Sequence, residues 1–266
     1  MHTKATIILA AAVALCSCGG QGGAAGEAPS QTAFTSLSAR TVTPLSDVEG
    51  SPQLTTDISI QYMRGDDSTA QTVNNAIEQR LFRLSGMPPG EAVDSFAAML
   101  SDDYTRTYRR FFNADKDNRE RWAQYEHYCN ISAGAAAGRQ GVTTYTATIS
   151  SYNGGAHGIV QTVTLNFDND TGTPLTADDV FVPGYRNRLE EALLDALERQ
   201  TGARGMDELR ERGYLKGMGI YVPDNFLLNK DSVAFVYNVY EIAPYSMGPI
   251  TLSIPYDDIT DLLMER

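Results

Sequence analysis

The chain has 266 residues, 42% of them hydrophobic and 20% charged, with a formal net charge of −12. That length allows one large domain or two small ones, and the composition is that of a protein able to bury a core. The acidic balance, with no basic patch among aromatics, argues against nucleic-acid binding and suits a cationic partner.

The first residues, MHTKATIILAAAVALCSC, carry Lys4 and then a short apolar run from Ala5 to Leu15. The run is too short to span a bilayer and fits a secretory signal. Leu15-Cys16-Ser17-Cys18 resembles a bacterial lipobox, with Cys18 as the lipidated cysteine. Residues 1–17 are therefore expected to be a lipoprotein signal peptide. The membrane partner is then the lipid on Cys18. The location is the cell envelope, facing periplasm or cell surface. Gly19 after the cysteine favours the outer membrane where a host has two. Cys16 leaves with the signal, so Cys129 is the one thiol left and no intrachain disulfide is expected. Residues 18–50, rich in Gly, Ala, Ser and Thr and without periodicity, read as a flexible tether.

The folded part is read as residues 51–170, with a strand, two helices and an antiparallel meander, then residues 171–266, with a helix, strands and a terminal helix. Asp57 to Met63 alternates and predicts a first strand. Ser68 and Gln71 form a capping-box pattern ahead of Val73, Ile77, Leu81 and Leu84 at helical spacing. After Pro88-Pro89, a second apolar stripe runs from Val93 through Tyr104 to Phe111. Trp122 to Ala137 predicts a strand with Tyr125, His127, Cys129 and Ile131 on one face.

Val142 to Phe167 then folds back at Asn153-Gly154-Gly155 as a hairpin. On its return run, His157, Ile159, Val163, Leu165 and Phe167 share the parity expected to face the core. Val160, Thr162, Thr164 and Asn166 take the wetter face. Asp168 to Gly172 reads as an Asx turn rather than a calcium loop. Thr176 and Asp179 cap a short helical step. Leu189 to Leu197 marks a helix ended by Gly202, and Met206 to Arg212 another. Strands follow at 226–228, 233–240 and 250–254, and Asp257 is expected to cap a terminal helix. Hairpins mixed with helices predict an α+β fold in which helices pack on an antiparallel meander, with no transmembrane helix in the mature chain.

SYNGGAHG followed by TLNFDNDTGTPLTADDVF resembles the first of two domains of unknown function that occur together in bacteria, and NFLLNKDSVAFVYNVYEIAPYSMGPITLSIPY resembles the second. The pair is similar to the extracytoplasmic part of RsiV-type anti-sigma factors and to the N-terminal region of PdaC-type peptidoglycan deacetylases. The match runs from about Gln53 to Leu263. It is most specific at the GGAH turn and at Tyr240 to Tyr245. The resemblance implies binding of lysozyme or peptidoglycan fragments at the cell wall. The chain departs from RsiV in having a lipid anchor where RsiV has a membrane span, with no sigma-binding segment before Cys18. It also lacks the deacetylase domain of PdaC.

No catalytic residue, metal ligand or cofactor site is assigned. His127 and His157 could join a carboxylate around zinc, but HExxH and GxSxG are absent. The candidate binding residues are His157, Tyr152, Tyr240 and Tyr245, since tyrosines offer an apolar face and a polar tip. The favoured reading, however, has the His157 ring bond nearby backbone and lock the hairpin, and has Tyr240 and Tyr245 in the core. The expected function is a non-catalytic, lipid-anchored binding domain for lysozyme or peptidoglycan fragments. The alternatives are a metal-assisted envelope hydrolase and a structural lipoprotein.

Overall fold

Eight strands and four α-helices lie within residues 33–265, the part of the chain that the structure, a computed structural model, describes. The fold is α+β, as the sequence predicts, but the first sheet is mixed rather than a simple meander. The expected signal peptide and the lipidated Cys18 lie outside the described residues.

β1 (Phe34–Pro44) and β2 (Gln53–Met63) form an antiparallel ladder along their full lengths. The expected tether 18–50 is corrected here, because its last part is an edge strand. The run FTSLSARTVTP alternates, but with Leu37 and Ala39 against serine and threonine its contrast in hydrophobicity is too weak to read as a strand. On β2 the alternation is strict, burying Leu54, Thr56, Ile58, Ile60 and Tyr62.

α1 (Ser68–Phe82) is capped by Asp67, whose carboxylate accepts from the Ala70 N–H at 2.9 Å. Ser68 is therefore the first helical residue rather than the cap. α2 (Pro89–Asp115) opens on a proline at its first turn. Both helices cross one face of the sheet before β3 (His127–Ala137), which for that reason runs parallel to β2. Residues 119–125, expected as the start of that strand, form a 3-10 helix. This turn meets the end of α2 from the side. Phe112 is consequently buried against Trp122 and Tyr125, and Phe111, expected in the core stripe, is 60% exposed.

β4 (Val142–Tyr152) and β5 (Ile159–Asp168) complete the sheet in the order β1-β2-β3-β4-β5. Its core face sets Ile58, Ile60, Ile131, Tyr145 and Phe167 against Val73, Ile77 and Phe82 of α1 and Val93 of α2. In the turn after β5, Asp168 Oδ1 accepts from the N–H groups of Asp170 at 3.1 Å and Thr171 at 3.0 Å, the Asx turn expected.

α3 (Arg186–Thr201), ended by Gly202, and α4 (Met206–Glu211) precede a second sheet of β6 (Phe226–Leu228), β7 (Ser232–Tyr237) and β8 (Ile250–Pro255). Leu189, Leu193 and Leu197 pack on Phe226, Phe235, Leu252 and Ile254. The chain ends in 3-10 turns over Tyr256–Leu262 instead of an α-helix, and Asp257 makes no cap there. Among the described residues no helix is long and apolar enough to cross a membrane.

The two sheets are joined by side-chain amides. Asn225 Oδ1 accepts from the Thr164 N–H and hydroxyl, both at 2.8 Å, and its Nδ2 donates to Thr162 O at 2.9 Å. Asn238 accepts from the Thr162 N–H at 2.7 Å and donates to Thr162 O at 3.0 Å. Asn166 reciprocates, donating to Phe226 O at 2.9 Å and accepting from the Leu228 N–H at 2.8 Å. These amides take the place of a further strand along the edge of β5. The expected wetter face is corrected accordingly: Thr164 and Asn166 are buried, whereas Ile159, expected inward, is 42% exposed.

Candidate functional site

Residues 153–158 join β4 to β5. Gly154 has φ 83°. A Cβ there would lie 3.1 Å from Gln124 O and 3.5 Å from His127 Nε2, so the loop rests on the 3-10 turn and on a histidine beneath it. At Gly158 a Cβ would lie 2.6 Å from the Tyr128 hydroxyl and 2.9 Å from Ser151 O. Only glycine allows that approach.

This seating fixes the loop's outward side. The His157 ring stacks on Tyr245, with centroids 3.9 Å apart and planes at 19°. Tyr245 Oη donates to Gly158 O at 2.7 Å. Tyr240 Oη lies 3.5 Å from His157 Nε2, and its ring is 5.7 Å from that of Tyr245. Tyr152 Oη donates to Gly155 O at 2.8 Å and thus tightens the same loop. Four residues singled out in the sequence, His157, Tyr152, Tyr240 and Tyr245, therefore meet at one loop.

The second sheet supplies two of them. Tyr240 and Tyr245 stand between β7 and β8, and Asn238, clamped to Thr162, holds the start of that connection on β5. Glu241 accepts from the Asn238 N–H at 2.9 Å and closes the turn. Tyr240 itself has φ 70°, a left-handed conformation uncommon for an aromatic residue, and is 61% exposed. The amides that set this geometry are not marked by any motif. Asn225 and Thr164 are 61 residues apart in sequence.

His127 has a different role from His157. It is buried among Tyr104, Tyr108 and Tyr152, with ring centroids 5.2, 4.5 and 6.4 Å away. Burial holds its pKa below the usual histidine range, against a smaller opposing pull from the Gln124 backbone. The ring is thus neutral under the loop. The two histidines engage different rings. Among the described residues no group of three or more His, Cys, Asp or Glu is placed to hold a metal ion. Cys129 is half-buried, and burial pushes its thiol pKa up, which makes it a poor nucleophile. What the exposed cluster offers is stacking surface, phenol hydroxyls and one imidazole, which are the means of binding.

The model of the family described as a protein of unknown function, DUF3298, matches residues 178–257, which include Asn225, Asn238, Tyr240 and Tyr245. No curated protein matches the chain. The crystal structure of a DUF3298 family member from Bacteroides fragilis is similar with a TM-score of 0.81 and 27% identity, over 87% of this chain and 93% of that one. A DUF3298 family protein from Pseudomonas aeruginosa shares the fold with a TM-score of 0.62 and 18% identity, over 87% and 94% of the two chains.

Proposed function

We propose that the chain is a non-catalytic, lipid-anchored binding domain of the bacterial cell envelope that docks a cationic protein such as lysozyme. The observation that carries this reading is the convergence of His157, Tyr240 and Tyr245 into one stacked cluster with Tyr240 exposed at its crest. Aromatic anchors of this kind dominate protein interfaces. A net charge of −12 adds long-range attraction for a basic partner.

The test is calorimetric titration of the full chain with lysozyme at low ionic strength. Binding is expected to weaken as salt is added, because the steering charges are exposed. Tyr240→Ala is expected to weaken it at least about tenfold, as loss of a central aromatic anchor does. No heat of binding at low salt sinks the lysozyme reading. Binding indifferent to Tyr240→Ala sinks the assignment to this loop.

A further inference from the structure

We propose that the uncovered part of the outer face of the first sheet, over β1 to β4, is a second binding site, and that its ligand is a neutral oligosaccharide chain. It lies on the opposite side of the sheet from the helices, in an open cleft of about 620 Å³. Its lining is unusual for a solvated sheet. By register the face carries no Lys or Glu anywhere on the five strands, and Arg40 is its one basic residue. Arg40 is neutralised by Asp57 across the β1–β2 ladder, Nη1 to Oδ2 at 3.4 Å. Water-facing sheets ordinarily carry interspersed charge for solubility and against edge pairing. In a chain of net charge −12, this face is a locally neutral floor. It repels neither charge sign and attracts neither, which matches an uncharged ligand.

The register also orders the polar groups. One row across the strands runs Ser38, Ser59, Ser132, Thr148. The next runs Arg40, Asp57, Asn130, Ser150. Over β1 to β4 each row thus presents a hydroxyl, amide or charged donor or acceptor on each strand, at the roughly 4.8 Å spacing of neighbouring strands. That interval is close to the rise per residue of an extended β-linked sugar chain laid across the strands. One row further on, Tyr128 and Tyr152 stand side by side, ring centroids 6.1 Å apart and planes at 26°. This pair of stacked phenol rings offers aromatic surface to sugar rings, whose C–H faces are apolar while their rims are hydroxyls. The large aliphatic side chains of these rows, Val42 on β1 and Val160 on β5, stand at their outer ends. An apolar protein or lipid therefore finds no continuous greasy surface, and an ionic ligand finds no unpaired charge between them.

The test uses the full chain with chitohexaose and cellohexaose as probes, by calorimetry. At least one is expected to bind saturably. Affinity is expected to be unchanged by added salt, since no net charge is matched. Asn130→Ala and Thr148→Arg are each expected to weaken it at least about tenfold. Both side chains are exposed, so these variants should keep the wild-type melting temperature, whereas Tyr128→Ala would also release Gly158. Tyr240→Ala should leave sugar binding intact, which separates this site from the loop that binds protein. The proposal is overturned if neither sugar binds at millimolar concentration, or if binding survives both face substitutions. It is equally overturned if the chain is a dimer that Thr148→Arg dissolves, because the face is then covered by a second copy.

Discussion

Glu78 sits on α1 with no exposed surface, and neither carboxylate oxygen has a hydrogen-bond partner of good geometry. Its neighbour Tyr62 is also buried with its hydroxyl unpartnered. Burial raises the Glu78 pKa, and the nearby Met87 backbone lowers it by less. Burial raises Tyr62 too, and the Glu78 charge raises it further. The folded state thus holds the Glu78 proton more tightly than the unfolded chain does. Stability from this group is complete below the unfolded carboxylate value, about 4.3, and is lost as pH rises through the folded value. Glu78→Gln removes the charge and keeps the shape. It is expected to raise stability at neutral pH by about 1 kcal/mol or more, with the gain shrinking on acidification toward pH ~4. Urea unfolding of both proteins at the two pH values measures this. A gain that grows on acidification would contradict it.

At the scale of elements, what holds the two sheets together is polar. Replacing Asn225 with Ala removes acceptors for the Thr164 N–H and hydroxyl and donors to Thr162 O and Val236 O, in a site with little water. The expected loss is about 2–4 kcal/mol. Amide exchange at Thr164 should quicken more than at Ile58 in the middle of β2. Equal acceleration at both would mean global loosening instead of an opened edge.

The same amides explain where reading the sequence stopped. Period-two patterning located the hairpin and separated its two faces. It could not say what covers each face, because Asn225 and Asn238 arrive from a distant part of the chain. The helices were legible from their apolar stripes until the end of α2, where a 3-10 turn rather than the sheet set the buried side. The aromatic cluster was legible as a set of residue types, and the fold supplied its contacts. The neutral face was also present in the sequence, as Thr146, Thr148, Ser150 and Tyr152 at alternate positions of β4, although only the β2-β3-β4 pairing turns that pattern into a surface.

For the whole molecule, a lipid on Cys18, as proposed, would decide how the proposed binding faces are displayed. Cys18→Ala is expected to abolish incorporation of labelled palmitate and move the chain from the membrane fraction to the soluble fraction. Label retained by the variant would rule out Cys18 as the lipid site.

Such an anchor would make β1 a mechanical element. It is the outer strand of its sheet, and Phe34 is its first residue. A pull on the N-terminus loads β1 before it reaches the helices or the second sheet. Tension sufficient to peel that strand from the rim would carry off Ser38 and Arg40 and dismantle the open face. His157, Tyr240 and Tyr245, held from the opposite edge, would keep their places.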